Sequence, residues 1–174
     1  MNLNLVKKAR RGNSKAFLEC FQTYEVDIYK MAFIYMKNEE DALEVVQETA
    51  YRSFKRISSL KEPTYFKTWL LRISINVSID LLRKKNVEVL FDDYAKEYVP
   101  DHIDEDTDLE MTLKDLLDVL NESEKSVVVL RFYQDLTLSE ISNVLDLSLG
   151  TVKTILYRAL EKLRKNAERG DFNE

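Results

Sequence analysis

Residues 136–164 read LTLSEISNVLDLSLGTVKTILYRALEKLR and hold two helix starts eleven residues apart. Thr137 can cap the first, with Glu140 three residues on closing a reciprocal capping box ahead of Leu138, Ile141, Val144 and Leu145. Ser148 opens the second. Beyond it Val152, Ile155, Leu156, Ala159, Leu160 and Leu163 fall on one helical stripe, while Thr151, Lys153, Thr154, Tyr157 and Arg158 are turned away from it. A short capped helix, a turn of about four residues and a longer amphipathic helix spell a helix-turn-helix. In that motif the second helix enters the major groove of DNA. An ordinary helical hairpin with a solvated outer face would show the same stripe. It would not require the outer face to be short, hydroxyl-bearing and cationic, with no acid from Leu149 to Leu160. A duplex carries one phosphate charge per roughly 1.7 Å of axis, so a groove-facing surface needs that sign.

Outward from this stretch, the chain of 174 residues has 45 % hydrophobic content, three glycines and two prolines. That is enough apolar matter for a core and too few turn residues for a β fold. No window alternates as a strand would, so the expected class is all-α. The single Cys20 can staple nothing within the chain, and no apolar run approaches the roughly 18 residues of a membrane span. A cytoplasmic protein without membrane insertion is expected.

The net charge of −5 looks wrong for a protein that meets DNA. Its distribution changes the picture. Residues 1–86 carry 16 Lys/Arg against 10 Asp/Glu, residues 87–110 carry 1 against 10, and residues 111–174 carry 9 against 11. The acidity therefore sits in one short stretch. That stretch has no helical period and contains Pro100, and 87–106 reads as a linker in which Phe91, Tyr94 and Tyr98 are unusual.

Before the linker, Asn13 is expected to cap a helix running to about Lys37, with Phe17, Phe21, Tyr24, Ile28, Met31 and Tyr35 as its seam. Lys7, Lys8, Arg10 and Arg11 ahead of it read as a solvated basic end. Asn38 caps a second helix with acids in its first turn, where the helix dipole favours them. Its inner side is Ala42, Val45, Val46, Thr49, Ser53 and Ile57, and its outer side is Glu44, Gln47, Glu48 and Tyr51. Pro63 suits the start of a third helix ending near Lys85, apolar nearly all round, with a polar strip of Thr68, Arg72, Asn76, Asp80 and Lys84. After the linker, a helix of Leu109, Leu113, Leu116, Leu117 and Leu120 is expected, then one capped by Asn121 and Glu124.

Three segments in order carry a family likeness: DALEVVQE (41–48), FKTWLLRISINVSIDLLRKK (66–85) and LSLGTVKTILYRALEKLR (147–164). With them the chain resembles, from about Ala16 to Arg164, a bacterial RNA polymerase sigma factor of the extracytoplasmic-function (ECF) subfamily of the sigma-70 family. Ser142 and Asp146 stand where family members often have alanine and glycine. Asp tolerates a left-handed backbone, so the turn should survive.

The resemblance implies two small helical domains, a region 2-like one over 1–86 and a region 4-like one over 107–174, joined by the acidic linker 87–106. It implies that Glu44, Gln47 and Glu48 meet core RNA polymerase. Tyr65, Arg72, Asn76, Arg83, Lys84 and Lys85 would serve the −10 element, while Arg131, Thr151, Lys153, Thr154, Tyr157 and Arg158 would serve the −35 element. Tyr65 is a candidate to stack an extruded base, and Trp69 is read as core. The linker would thread the polymerase channel and lower the free chain's affinity for DNA. A stress or envelope-signal response and an anti-sigma partner, possibly membrane-bound, are further implications.

An enzyme is a poor fit. The one histidine, His102, lies in the linker, and there is no Cys/His cluster, phosphate loop or nucleophile motif, so no catalytic residue, metal or cofactor is expected. The better rival is a stand-alone helix-turn-helix regulator with an N-terminal sensor, which would bind a palindromic site unaided. An interaction protein without promoter activity is a third possibility.

Overall fold

Helix follows helix because the sequence caps most starts with a side-chain oxygen and seldom supplies a breaker. The computed structural model describes residues 2–92, 117 and 119–170, and among these no strand occurs. Helix α1 (Leu3–Arg10) was not expected from the sequence. The Asn2 side chain accepts the Asn4 N–H at 3.1 Å and so starts it, while Val6 and Ala9 go inward. The basic cluster there is the outer side of a helix, not a free end. Gly12, at φ 92°, turns the chain where an L side chain would be strained.

Asn13 accepts the Ala16 N–H at 2.9 Å and opens α2 (Ser14–Met36). Phe17, Phe21, Ile28, Met31 and Tyr35 are buried along it, as their spacing requires. Asn38 caps α3 (Glu39–Arg56) through the Asp41 N–H at 2.9 Å, with Ala42, Val45, Val46, Thr49 and Ser53 buried. Two single turns of tight helix, Ile57–Ser59 and Pro63–Tyr65, lead into α4 (Phe66–Asp92). This helix ends seven residues beyond the expected Lys85. No glycine or proline stands between Pro63 and Pro100 to stop it.

The expected helix around Leu109, Leu113 and Leu116 lies outside the described residues. Leu120 is buried against Val128 and Ala159. Helix α5 (Glu122–Val128) has the anticipated capping box of Asn121 and Glu124, and it passes into a wider π turn, Val129–Tyr133. The box of Thr137 and Glu140 opens α6 (Leu138–Leu145), and α7 runs over Leu149–Gly170. Leu160, expected on the inner stripe of α7, is 38 % exposed. Val152 and Ala159 on that stripe are fully buried.

Two larger apolar clusters organise the interior beside the small one at Leu120. One joins α1 and the first half of α2 to Val46, Ile57, Leu60, Phe66 and Leu70. Trp69 packs against both clusters and lies 6.0 Å from the Phe66 ring, the core role read for it. The other cluster is continuous from α2 and α4 to the helix-turn-helix segment. It contains Met31, Ala32, Tyr35, Leu71 and Ile75 together with Val127, Leu130, Ile141, Val144 and Val152. Helix α6 packs on α4, and Tyr35 and Ser126 are joined by a buried hydrogen bond of 2.7 Å.

Candidate nucleic-acid interface

The start of α7 is fixed by hydroxyls. Ser148 Oγ accepts the Thr151 N–H at 3.1 Å and lies 2.8 Å from Thr151 Oγ1. One turn on, Thr154 Oγ1 donates to the Gly150 carbonyl at 3.0 Å. With Val152 and Ala159 inward, the stripe of Thr151, Lys153, Thr154, Tyr157 and Arg158 is exposed, Tyr157 to 71 %. Asp146 takes the left-handed conformation at φ 57°, so the turn keeps its geometry without glycine. A Cβ on Gly150 would meet nothing nearer than Ser148 Oγ at 3.8 Å. The chain's own packing does not demand glycine there.

Arg131 sits on the π turn, exposed, and its Nη1 donates to the Leu136 carbonyl at 3.0 Å. It therefore helps close the bend that delivers Thr137 to the start of α6. The Glu140 carboxyl is held below the usual range by the backbone and hydroxyl of Thr137, as a capping box requires.

On α4 the polar strip is outward: Asn76, Asp80 and Lys84 are exposed, and Tyr65 just ahead of it is 59 % exposed. Arg72 reaches to the helix-turn-helix, with Nη1 3.5 Å from the Asn143 carbonyl and Nη2 3.3 Å from the Asp146 carboxylate. Arg83 pairs with Glu122 at 3.2 Å. Lys85 is bound to Asp41, which also accepts from Asn38 Nδ2 at 2.7 Å. Burial pushes the Asp41 carboxyl up, but the hydrogen bonds from Asn38 and Lys85 outweigh it and leave the group below its ordinary value. Of the basic cluster 83–85, Lys85 is thus tied to α3.

Glu44 and Gln47 are exposed on α3. Glu48 is half-buried and receives a hydrogen bond from Arg52 Nε at 2.6 Å, and Arg52 Nη1 donates to Asp80 at 2.8 Å. Arg52 escaped the sequence reading. Its spacing of four from Glu48 was a usable signal; Asp80, on another helix, was not. Tyr51 is exposed beneath the Lys55 ammonium, 5.6 Å from the ring centre. Among the described residues no His/Cys/Asp/Glu group could hold a metal, and no helix is long and apolar enough to cross a membrane.

Fold and surface together define an all-helical DNA-binding protein whose helix-turn-helix packs on a four-helix body with its own polar face. Comparison with known proteins gives this class its family. Residues 20–87 match the model for Sigma-70 region 2, and residues 116–165 the model for Sigma-70, region 4. The chain is 34 % identical over 169 residues to RNA polymerase sigma factor SigV of Bacillus subtilis, covering 94 % of this chain and 99 % of that protein. It is 29 % identical over 174 residues to the ECF RNA polymerase sigma factor SigW of the same organism, with 92 % and 93 % covered. The fold is shared with CnrH, solved in complex with the cytosolic domain of CnrY (TM-score 0.73, 23 % identity, 96 % and 97 % covered). RpoE of Bartonella quintana, solved with the anti-sigma factor NepR, also shares it (TM-score 0.73, 19 % identity, 88 % and 98 % covered). The chain belongs to the sigma-70 family of RNA polymerase sigma factors, in its ECF subfamily.

Proposed function

We propose that this protein directs core RNA polymerase to specific promoters and initiates transcription, acting in the cytoplasm and catalysing nothing itself. The observation that carries the reading is the exposed, cationic face of α7, free of acids from Leu149 to Leu160, on a capped helix-turn-helix, in a chain that matches both sigma regions in order. Residues 1–86 would serve the polymerase and the −10 element, 87–106 would link, and 107–174 would serve the −35 element.

Within that division Thr151, Lys153, Thr154, Tyr157 and Arg158 would enter the major groove. Lysine and arginine donate to guanine acceptors or phosphates, and the hydroxyls donate to either. Arg131, already bonded to a backbone carbonyl, would act at the edge of that contact. Tyr65, Arg72, Asn76, Arg83 and Lys84 would hold the −10 strand, Tyr65 by stacking, with Lys85 positioned through Asp41. Glu44 and Gln47 would face the polymerase directly. Glu48 would contribute to that surface together with Arg52, since a paired carboxylate presents less free charge to a basic partner.

An anti-sigma factor would be the natural inhibitor, since RpoE of Bartonella quintana, which shares the fold, was solved with the anti-sigma factor NepR. A gel-shift experiment with promoter duplex tests the reading. Core polymerase with this chain should form a sequence-specific complex that neither component forms alone. Tight binding of the chain alone to a palindromic site, unaffected by polymerase, would contradict it.

A further inference from the structure

We infer that Arg52 is a positioning residue for the −10 strand, which it serves by neutralising Asp80 on the polar strip of α4. The inference rests on the function proposed above, and its test keeps the two apart. Residues 66–85 hold five cations, Lys67, Arg72, Arg83, Lys84 and Lys85, and one acid, Asp80. That acid stands on the strip between Asn76 and Lys84, one turn from each, about 6 Å along the helix axis. More than half of its side chain is exposed. Its separation from either neighbour along the helix is shorter than the Debye length of about 8 Å at physiological salt, so a bare carboxylate there would repel any phosphate those neighbours hold. It is not bare. Arg52 Nη1 crosses from α3 and donates to Asp80 Oδ2 at 2.8 Å.

Arg52 is aimed by its own helix. Its Nε donates to Glu48 Oε1 at 2.6 Å, one turn back on α3, which leaves Nη1 for the second carboxylate. The planar fork of a guanidinium can meet both acceptors at once in fixed directions. A staple between two helices would show the same bonds, but it would have little to hold. The Arg52 side chain is 33 % exposed and that of Asp80 55 %, and ion pairs so open to water contribute little to stability. Helices α3 and α4 are joined instead by their apolar sides, Val45 clustering with Leu71 and Ile73, and Val46 with Phe66 and Leu70. What the pair changes most is the charge that the strip presents to DNA. One guanidinium thereby touches both proposed surfaces, Glu48 on the polymerase side and Asp80 on the −10 side.

The test uses full-length variants saturating core polymerase, and a forked duplex carrying the −10 sequence recovered from the start sites that the wild-type holoenzyme selects. Arg52→Gln should weaken fork binding about tenfold at physiological salt, because it sets a carboxylate against the phosphates. The loss should shrink as salt rises, since screening removes the repulsion. In a plot of log affinity against log salt the slope should flatten by about 0.7, the share of one phosphate on a single strand. Arg52→Gln combined with Asp80→Asn should return to within about twofold of wild type, there being no charge left to neutralise. Asp80→Asn alone should bind at least as tightly as wild type, and it decides the matter if Arg52→Gln loses helicity by circular dichroism. Weaker binding by Asp80→Asn, unchanged binding by Arg52→Gln, or a loss that salt leaves unaltered or Asp80→Asn leaves unrestored overturns the inference. A wild-type holoenzyme that selects no start site refutes the function instead; wild-type selection with any of those results refutes the role of Arg52 alone.

Discussion

The Tyr35 hydroxyl donates to Ser126 Oγ at 2.7 Å, across 91 residues of sequence and out of reach of water. The direction follows from Ser126, whose one hydrogen goes to the Glu122 carbonyl at 2.7 Å. Burial raises the Tyr35 phenol far above its ordinary range, the Ser126 bond lowering it only in part, so it stays protonated. Tyr35→Phe should destabilise the chain by about 1 kcal/mol. The loss should be no larger, because Ser126 keeps its carbonyl partner. Urea unfolding at unchanged slope checks this; an unchanged midpoint would mean the bond is not formed in solution.

Lys153→Ala and Arg158→Ala separate base reading from phosphate contact on the exposed face of α7. A residue that reads a base should cost about 1–3 kcal/mol and relax preference at one −35 position. A residue on phosphate should weaken all sequences alike and reduce the salt dependence of binding. Affinities over a panel of single-base variants at two salt concentrations distinguish these, and full retention of affinity by both variants would remove this face from the interface.

The α3 surface is expected to divide. Glu44→Ala with Gln47→Ala should weaken co-purification with core polymerase while leaving helicity intact, since both side chains are exposed. Arg52→Ala should not reproduce that loss, because it frees the Glu48 carboxylate to present its full charge to a basic partner. Undiminished co-purification of the double variant would place the polymerase contact elsewhere.

Acid should loosen the fold at defined points. Burial raises the Glu124 carboxyl, but Lys162 and the Asn121 backbone outweigh burial and hold it below its ordinary value; Asp41 behaves likewise. A depressed carboxyl contributes stability that is present above its unfolded value, about pH 4, and is lost as pH falls through the folded one. Thermal melts should therefore drop below about pH 4. Lys162→Met should flatten part of that drop. A drop of equal size in the variant would assign it to other carboxylates.

Local order was largely legible in the sequence because local chemistry sets it. Asn13, Asn38, Asn121, Thr137 and Ser148 each open a helix through a side-chain oxygen, and apolar spacing fixed which faces of α2 and α3 go inward. Helix α1 escaped because its two buried positions, Val6 and Ala9, are too few to show a period. The far end of α4 escaped because acidic composition suggested a linker where no residue breaks a helix. The pairs Arg72–Asp146, Lys85–Asp41 and Tyr35–Ser126 join residues 44 to 91 positions apart. Nothing in local periodicity encodes such partners. Charge type alone made Lys85 look equivalent to Arg83 and Lys84, and only the fold assigns it to Asp41.

The central claim is that this chain confers start-site choice on a polymerase that lacks it. Transcription by purified core RNA polymerase over a promoter library, with 5′ ends mapped with and without the full-length chain, tests it most directly. Discrete start sites sharing −35 and −10 sequences should appear only when the chain is present and should vanish when its −35 face is replaced. An identical spectrum of 5′ ends with and without the chain would contradict it.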